Sequence, residues 1–131
     1  MRGIADVDVG GRIVFLRADL NVPLDGISMR VPVPDGSVTD LVATVRTEVT
    51  KEQVNDAFRA AATEGSLAGK LVYTEDPIVS SDIVGTPASC TFDALSTMAM
   101  GDTVKIVGWY DNEWGYSNRL VDLVELVASS L

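Results

Sequence analysis

The stretch TKEQVNDAFRAAATEG, residues 50–65, decides the fold because it carries the clearest helix pattern in the sequence. Thr50 and Gln53 have the spacing of a capping box, in which two side chains satisfy the first free backbone N–H groups of a helix. We therefore expect a helix over Lys51 to Thr63, ended by Gly65. Its apolar residues recur at the spacing of one helix face, and that face is expected to pack on a core: Val54, Ala57, Phe58 and Ala61.

The segments before this helix predict strands. Residues 38–46 alternate between apolar and polar side chains, as a half-buried antiparallel strand does. An apolar, β-branched run at 11–20 predicts a strand covered on both faces, and the turn-forming residues Asn21 to Gly26 end it. A further strand is expected at Ile27 to Val31, and the two prolines that follow should end it because they remove backbone donors.

The segments after the helix predict three more strands, near Ile78 to Val84, Cys90 to Leu95 and Val104 to Tyr110. A closing helix is expected from about Glu113 to Ser129, with an apolar face formed by Leu120, Leu123, Val124 and Val127. Strands grouped around two separate helices predict an α+β fold: a mostly antiparallel or mixed sheet of five to six strands with two main helices packed on it. We expect residues 1–131 to form a single domain.

Composition excludes several classes of function. The 131 residues are 47% hydrophobic, contain one cysteine and no histidine, and carry a net charge of -9. That charge repels phosphate backbones and disfavours nucleic acid as a partner. No apolar run is long enough to cross a bilayer and no leader is recognisable, so we expect no membrane association and a cytoplasmic location. Without histidine, no metal site is expected. No glycine-rich dinucleotide fingerprint is present either.

Several motifs in the second part of the sequence resemble one enzyme family. These motifs are similar to the later half of the catalytic domain of glyceraldehyde-3-phosphate dehydrogenase, an enzyme family of glycolysis. They are SMRVPVPDGSVTDLV (28–42), YTEDPIVSSDIVG (73–85), FDA (92–94) and WYDNEWGYSNRLVDL (109–123). The resemblance covers residues 27–131. It implies that Arg30 belongs to an anion pocket and that Asn112 and Tyr116 lie at the nicotinamide of the family's cofactor, NAD.

The first part of the sequence has a different resemblance. RIVFLRADLNVPL (12–24) is similar to the first strand and loop of phosphoglycerate kinase. This resemblance implies that Arg17, Asp19 and Asn21 come from a phosphoglycerate site, and that the chain is a chimera joined near residue 26. We expect the kinase-like strand to complete the sheet.

The dehydrogenase family's nucleophilic cysteine, its histidine and its nucleotide-binding domain all precede the matched region, so no catalytic residue and no bound cofactor are expected here. We expect a folded, inactive module that forms a homo-oligomer through a sheet face or edge. Two alternatives stay open: a weak binder of phosphate or phosphoglycerate, and an NAD-dependent dehydrogenase that works only with the missing half. The anion-site and nicotinamide-site residues also have structural interpretations, as ion-paired surface groups, turn formers and packing aromatics.

Overall fold

The computed structural model describes residues 29–130, and the chain divides into two compact units, Met1–Pro32 and Val33–Leu131. The fold below is that of the second unit. The predicted strand at 11–20 and the turn at Asn21 to Gly26 lie outside the described residues, as do the first two residues of the strand predicted at Ile27. The single domain over 1–131 stays a prediction.

The described residues form a five-stranded mixed sheet with three helices, which confirms the α+β class. The strands are β1 (Ser37–Thr44), β2 (Leu71–Thr74), β3 (Cys90–Asp93), β4 (Met98–Met100) and β5 (Thr103–Tyr110), and the helices are α1 (Lys51–Thr63), α2 (Ser80–Ile83) and α3 (Trp114–Ser129), with a 3₁₀ turn at Gly65–Leu67. The strand order is β1-β5-β3-β2, and β4 also pairs with β5. Strands β2 and β3 run parallel, whereas the other pairs are antiparallel.

Strand β1 confirms the strand predicted at 38–46. It pairs antiparallel with β5 along its whole length, from Ser37 opposite Tyr110 to Thr44 opposite Thr103. Leu41 and Ala43 are less exposed than their neighbours along the strand, as the alternating pattern predicts. Strand β5 is therefore an interior strand with a neighbour on each side.

Helix α1 has the predicted bounds, and both hydrogen bonds of its capping box are present: Gln53 N–H donates to Thr50 Oγ1, and Thr50 N–H donates to Gln53 Oε1. Phe58 stacks on Phe92 of β3, with ring centroids 3.9 Å apart. Together with Leu71 and Ala94, these two rings form the buried core. The core thus lies between α1 and one face of the sheet.

Two predictions about short elements are wrong. The strand predicted at Ile78 to Val84 is absent, because this stretch forms α2, whose Asp82 carboxylate accepts the Val79 N–H at 2.8 Å. The described part of the strand predicted at Ile27 to Val31 has no strand structure, since the two prolines that follow cannot extend a ladder. Strands β2 and β4 were not predicted.

The other face of the sheet is partly exposed in the described residues, although Thr91 and Asp93 of β3 are buried on it. Side chains alternate along each strand, so residues next to the α1-facing ones point away from the core. We call this surface the open face; its exposed apolar members are Val38, Val42, Val72, Met98 and Met100. An ion pair crosses it, from Lys105 Nζ to Asp40 Oδ2 at 2.9 Å.

Helix α3 confirms the predicted closing helix, and its apolar face is exposed. Among the described residues, α3 buries Gly115 alone. A Cβ atom on Gly115 would lie 2.5 Å from the Ala88 carbonyl oxygen, so the first helical turn sits directly on that backbone. None of the helices in 29–130 combines the length and the apolar character needed to cross a membrane.

Candidate functional site

The candidate site lies at the end of β5, in the connection to α3. Asp111 follows the strand, is buried, and accepts the Gly85 N–H on its carboxylate at 2.7 Å. A buried carboxylate needs such donors, and this bond ties the connection to the turn after α2. The backbone just before Asn112 is therefore held twice, by the β5 ladder and by the bond of Asp111 to Gly85.

Asn112 is exposed and has one specific partner. The Ser37 hydroxyl donates a hydrogen bond to Asn112 Oδ1, with the two oxygens 2.5 Å apart. Ser37 begins β1 opposite Tyr110, so the pairing of β1 with β5 brings together two residues that are distant in the sequence. Sequence reasoning missed Ser37, because the strand register that places it cannot be obtained from local patterns.

Tyr116 lies in the first turn of α3 and is 47% exposed. Trp114 is also exposed, and the interpretation of Trp109, Tyr110, Trp114 and Tyr116 as packing aromatics stays a prediction. Trp109 lies in β5, and its indole Nε1–H donates to Asp93 Oδ2 of the neighbouring strand β3 at 3.4 Å. The buried Asp93 carboxylate also accepts the backbone N–H and the hydroxyl of Ser96. The structure thus places Asn112 and Tyr116 among the exposed residues at this end of the sheet.

The predicted anion site stays a prediction. Arg30 is exposed and belongs to the unit Met1–Pro32, whereas Asn112 belongs to the unit Val33–Leu131. Arg17, Asp19 and Asn21 lie outside the described residues.

Cys90 is the sole cysteine of the sequence and stands at the start of β3. Burial raises the pKa of its thiol to about 11. Its Sγ faces Gly108 across the sheet so closely that a Cβ atom there would lie 2.7 Å away. A thiol in this setting stays protonated at neutral pH and is a poor nucleophile. No group of three metal-binding side chains occurs within the part of the chain that the structure describes.

Fold and site define a class: an α+β domain with exposed polar side chains at the end of an interior strand and a partly buried cysteine. Comparison with known proteins identifies the family. The model of the glyceraldehyde 3-phosphate dehydrogenase C-terminal domain matches residues 12–112. The chain belongs to this family.

Curated relatives support the same assignment. Glyceraldehyde-3-phosphate dehydrogenase 2 of Streptomyces avermitilis is 70% identical over 109 residues, which are 82% of this chain and 32% of the relative. The Streptomyces coelicolor enzyme is 66% identical over the same shares of both chains. A Mycobacterium bovis enzyme is 57% identical over 119 residues, 91% of this chain and 35% of the relative. The chain spans about a third of the length of these relatives.

These comparisons do not support a phosphoglycerate kinase segment. The family match begins at residue 12 and therefore includes the stretch 12–24, on which the kinase resemblance rests. The dehydrogenase resemblance of the rest of the chain is confirmed.

Proposed function

We propose that this chain is a non-catalytic, self-associating part of a glyceraldehyde-3-phosphate dehydrogenase catalytic domain, which keeps nicotinamide contacts and lacks the reaction. The setting of Cys90 carries the proposal, because its Sγ lies against Gly108 in the sheet and burial raises the pKa of the thiol, which disfavours the nucleophilic thiolate. The 131 residues also contain no histidine that could serve as a base. Acyl transfer through a thioester needs both groups side by side.

Asn112 and Tyr116 fit the nicotinamide end of NAD, which supplies hydride-transfer chemistry when bound. The Asn112 amide is exposed at the end of an interior strand, and its oxygen already accepts from Ser37, so its nitrogen is available as a donor to a carboxamide. No glycine-rich turn for the cofactor's phosphates occurs in the sequence. We therefore expect weak contact with nicotinamide and no retention of the whole cofactor.

The open face supports self-association, and we propose a second copy of the chain as its occupant. Exposed apolar surface of this kind favours association, and Met98 and Met100 adapt well to a contact. The ion pair of Asp40 and Lys105 gives the face one charge of each sign. In a two-fold dimer, each Lys105 meets the Asp40 of the other copy, so the face is complementary to itself.

Ultracentrifugation with a matched pair of variants tests this proposal. Val42→Lys on the open face should shift the chain from dimer to monomer, whereas Val79→Lys, at a position of similar exposure outside the sheet, should leave the dimer intact. Asp40→Lys should weaken the dimer, and adding Lys105→Asp should restore it. A monodisperse monomer at high concentration would contradict self-association. NAD reduction with glyceraldehyde 3-phosphate by the purified chain would overturn the non-catalytic assignment.

A second candidate function is NAD-dependent dehydrogenase activity in the presence of the missing portion. The exposed apolar face of α3 favours it, because such a face is typically covered by further protein. Mixing the chain with the remaining portion of the Streptomyces avermitilis relative and assaying NAD reduction tests this candidate.

The anion site, the kinase-like origin of residues 1–26 and the cytoplasmic location remain hypotheses. Arg30 suits a phosphate because its guanidinium can donate two parallel hydrogen bonds. Calorimetry with inorganic phosphate and with phosphoglycerate, repeated on Arg30→Ala, decides whether an anion binds.

A further inference from the structure

The backbone amide of Gly36 contacts the carboxylate of the residue before it. The Gly36 N–H donates a hydrogen bond to Asp35 Oδ1 at 2.7 Å. The carboxyl carbon Cγ is bonded directly to Oδ1, so this hydrogen bond brings the Gly36 nitrogen beside the carbon with which it would close a five-membered ring. Two atoms held this close are near the geometry of reaction. The bend before β1 therefore brings together both groups of an intramolecular backbone rearrangement.

Glycine at position 36 lowers the steric barrier to that ring. Gly36 has φ +84°, which residues with a Cβ atom rarely adopt, and a Cβ atom there would lie 3.0 Å from the Ser80 carbonyl oxygen. Every other aspartate in residues 29–130 is followed by a residue that carries a side chain, so Asp35 has the least hindered neighbour among them. A second Asp-Gly pair, Asp25–Gly26, lies outside the described residues.

We propose that Asp35 is a site of spontaneous covalent modification, at which the aspartate rearranges to isoaspartate. In the protonated carboxyl form, the Gly36 nitrogen bonds to Cγ and loses its proton, and the carboxyl hydroxyl leaves with that proton as water. The product is a succinimide. Water then adds to one of the two ring carbonyls and breaks its bond to nitrogen. Opening at Cγ restores aspartate, whereas opening at the main-chain carbonyl of Asp35 leaves isoaspartate, with no net change in atoms.

Isoaspartate lengthens the main chain by one methylene group directly before β1. Ser37 begins that strand opposite Tyr110, so the insertion lies one residue from the first pair of the ladder. Strand β1 stands at the end of the strand order and pairs with β5 alone among the described strands. An edge strand has no neighbour on its other side to hold its register. The rearrangement should therefore release the first residues of β1 from β5.

Mass spectrometry tests the site on the full chain, aged at neutral pH in water enriched in oxygen-18. Passage through a succinimide places a heavy oxygen in the Asp35 peptide, and electron-transfer fragmentation distinguishes isoaspartate from aspartate. The rate at Asp35 in the folded chain should equal or exceed the rate in guanidinium chloride, because the fold already holds the nitrogen beside the carboxyl group. A lower rate in the folded chain than in the unfolded chain overturns the proposal.

Two matched variants test whether the bend is responsible. Asp35→Asn keeps an acceptor oxygen and closes the same ring with loss of ammonia, so its ageing changes the mass of the chain. Asp122→Asn places the same amide within α3, where the following residue, Leu123, has a side chain and a helical backbone nitrogen. Asp35→Asn should convert at least about tenfold faster than Asp122→Asn, since only the bend holds the reacting groups together. Equal rates in the two variants contradict a contribution from the bend and overturn the proposal.

Amide hydrogen exchange tests the effect on β1. Exchange at the start of β1 should be faster in the aged chain than in the fresh chain, whereas exchange in β3 should stay the same. Asp35→Glu keeps the charge and cannot close the five-membered ring, so its ageing should leave exchange in β1 unchanged. Unchanged β1 exchange in a chain that carries isoaspartate at position 35 overturns the release of the strand.

Discussion

Helix α1 has 13 residues and α3 has 16, and both show apolar residues at helical spacing, but α1 packs its stripe on the sheet whereas α3 leaves its stripe exposed. Helix α1 buries Phe58 against β3, whereas α3 buries Gly115 alone among the described residues. The comparison shows that a stripe of apolar residues predicts a helix and also predicts that other protein atoms will pack on that stripe. The stripe does not indicate whether those atoms belong to the same chain or to another one.

The position of each helix along the chain explains the difference. Helix α1 connects β1 to β2, at opposite ends of the strand order, so it must cross the sheet and cover the core. Helix α3 follows β5 and is tied to the domain through Gly115 on the Ala88 backbone. The aliphatic residues beyond that tie are exposed: Leu120, Val121, Leu123, Val124, Leu126 and Val127.

The largest expected effect compares one truncation in each helix. Phe58→Ala should lower the free energy of unfolding by about 3 to 5 kcal/mol, because it removes a stacked ring and leaves a cavity. Leu126→Ala, at a side chain that is 65% exposed, should change it by less than about 0.5 kcal/mol. Urea denaturation of the three proteins measures both differences.

The more conservative variant Phe58→Leu keeps most of the volume and provides a measurable value where Phe58→Ala does not fold. A large, concentration-dependent loss for Leu126→Ala would mean that a second copy covers α3 in solution. The apolar stripes of both helices would then be buried, α1 against its own sheet and α3 against another copy of the chain.

A smaller effect comes from Cys90 on the covered side. Its thiol has an ordinary pKa of 9.0, and burial raises the folded-state pKa to about 11. A raised pKa contributes stability that is fully present below pH 9 and is lost as the pH rises to about 11. The loss should be on the order of 3 kcal/mol at most.

Unfolding measured from pH 8 to 11 on the wild-type chain and Cys90→Ala isolates this contribution, since the two proteins share every other titratable group. The wild-type chain should lose more stability over this range than the variant. Parallel curves would show that Cys90 is solvated, and the argument for an inert thiol would fail with them.

The sequence predicted those parts of the fold that depend on local patterns. The cap at Thr50 and the alternation in β1 are readable because each is a property of neighbouring residues. The strand predicted at Ile78 to Val84 is wrong because local residue preferences do not separate a short strand from a helical turn, and the Asp82 carboxylate, which accepts the Val79 N–H, favours the turn. Strand β2 has four residues and pairs in parallel with a distant strand, so its own sequence carried little information.

The candidate site was predictable only in part. Asn112 and Tyr116 came from motif resemblance, since nothing in their own spacing identifies a ligand. Ser37 could not be predicted, because its partner lies 75 residues away and depends on the register of β1 against β5. Contacts between strands require tertiary structure, and functional residues fixed by such contacts escape a local analysis.

The smallest expected effect on the free energy of unfolding concerns the N-terminal caps of α1 and α3. Thr50→Ala should cost about 1 kcal/mol, because it leaves an α1 backbone N–H without its acceptor. The pKa of Glu52 lies below its ordinary value, first through the bond of its own backbone N–H and then through the Thr50 hydroxyl, so the variant should raise that pKa.

Glu113→Ala is the matched control, because Glu113 makes no side-chain capping bond to α3. Equal losses of unfolding free energy from both variants would contradict a capping difference between the two helices. A loss from Thr50→Ala alone would show that α1 is stabilised by its own sequence as well as by packing, whereas α3 depends on whatever covers it.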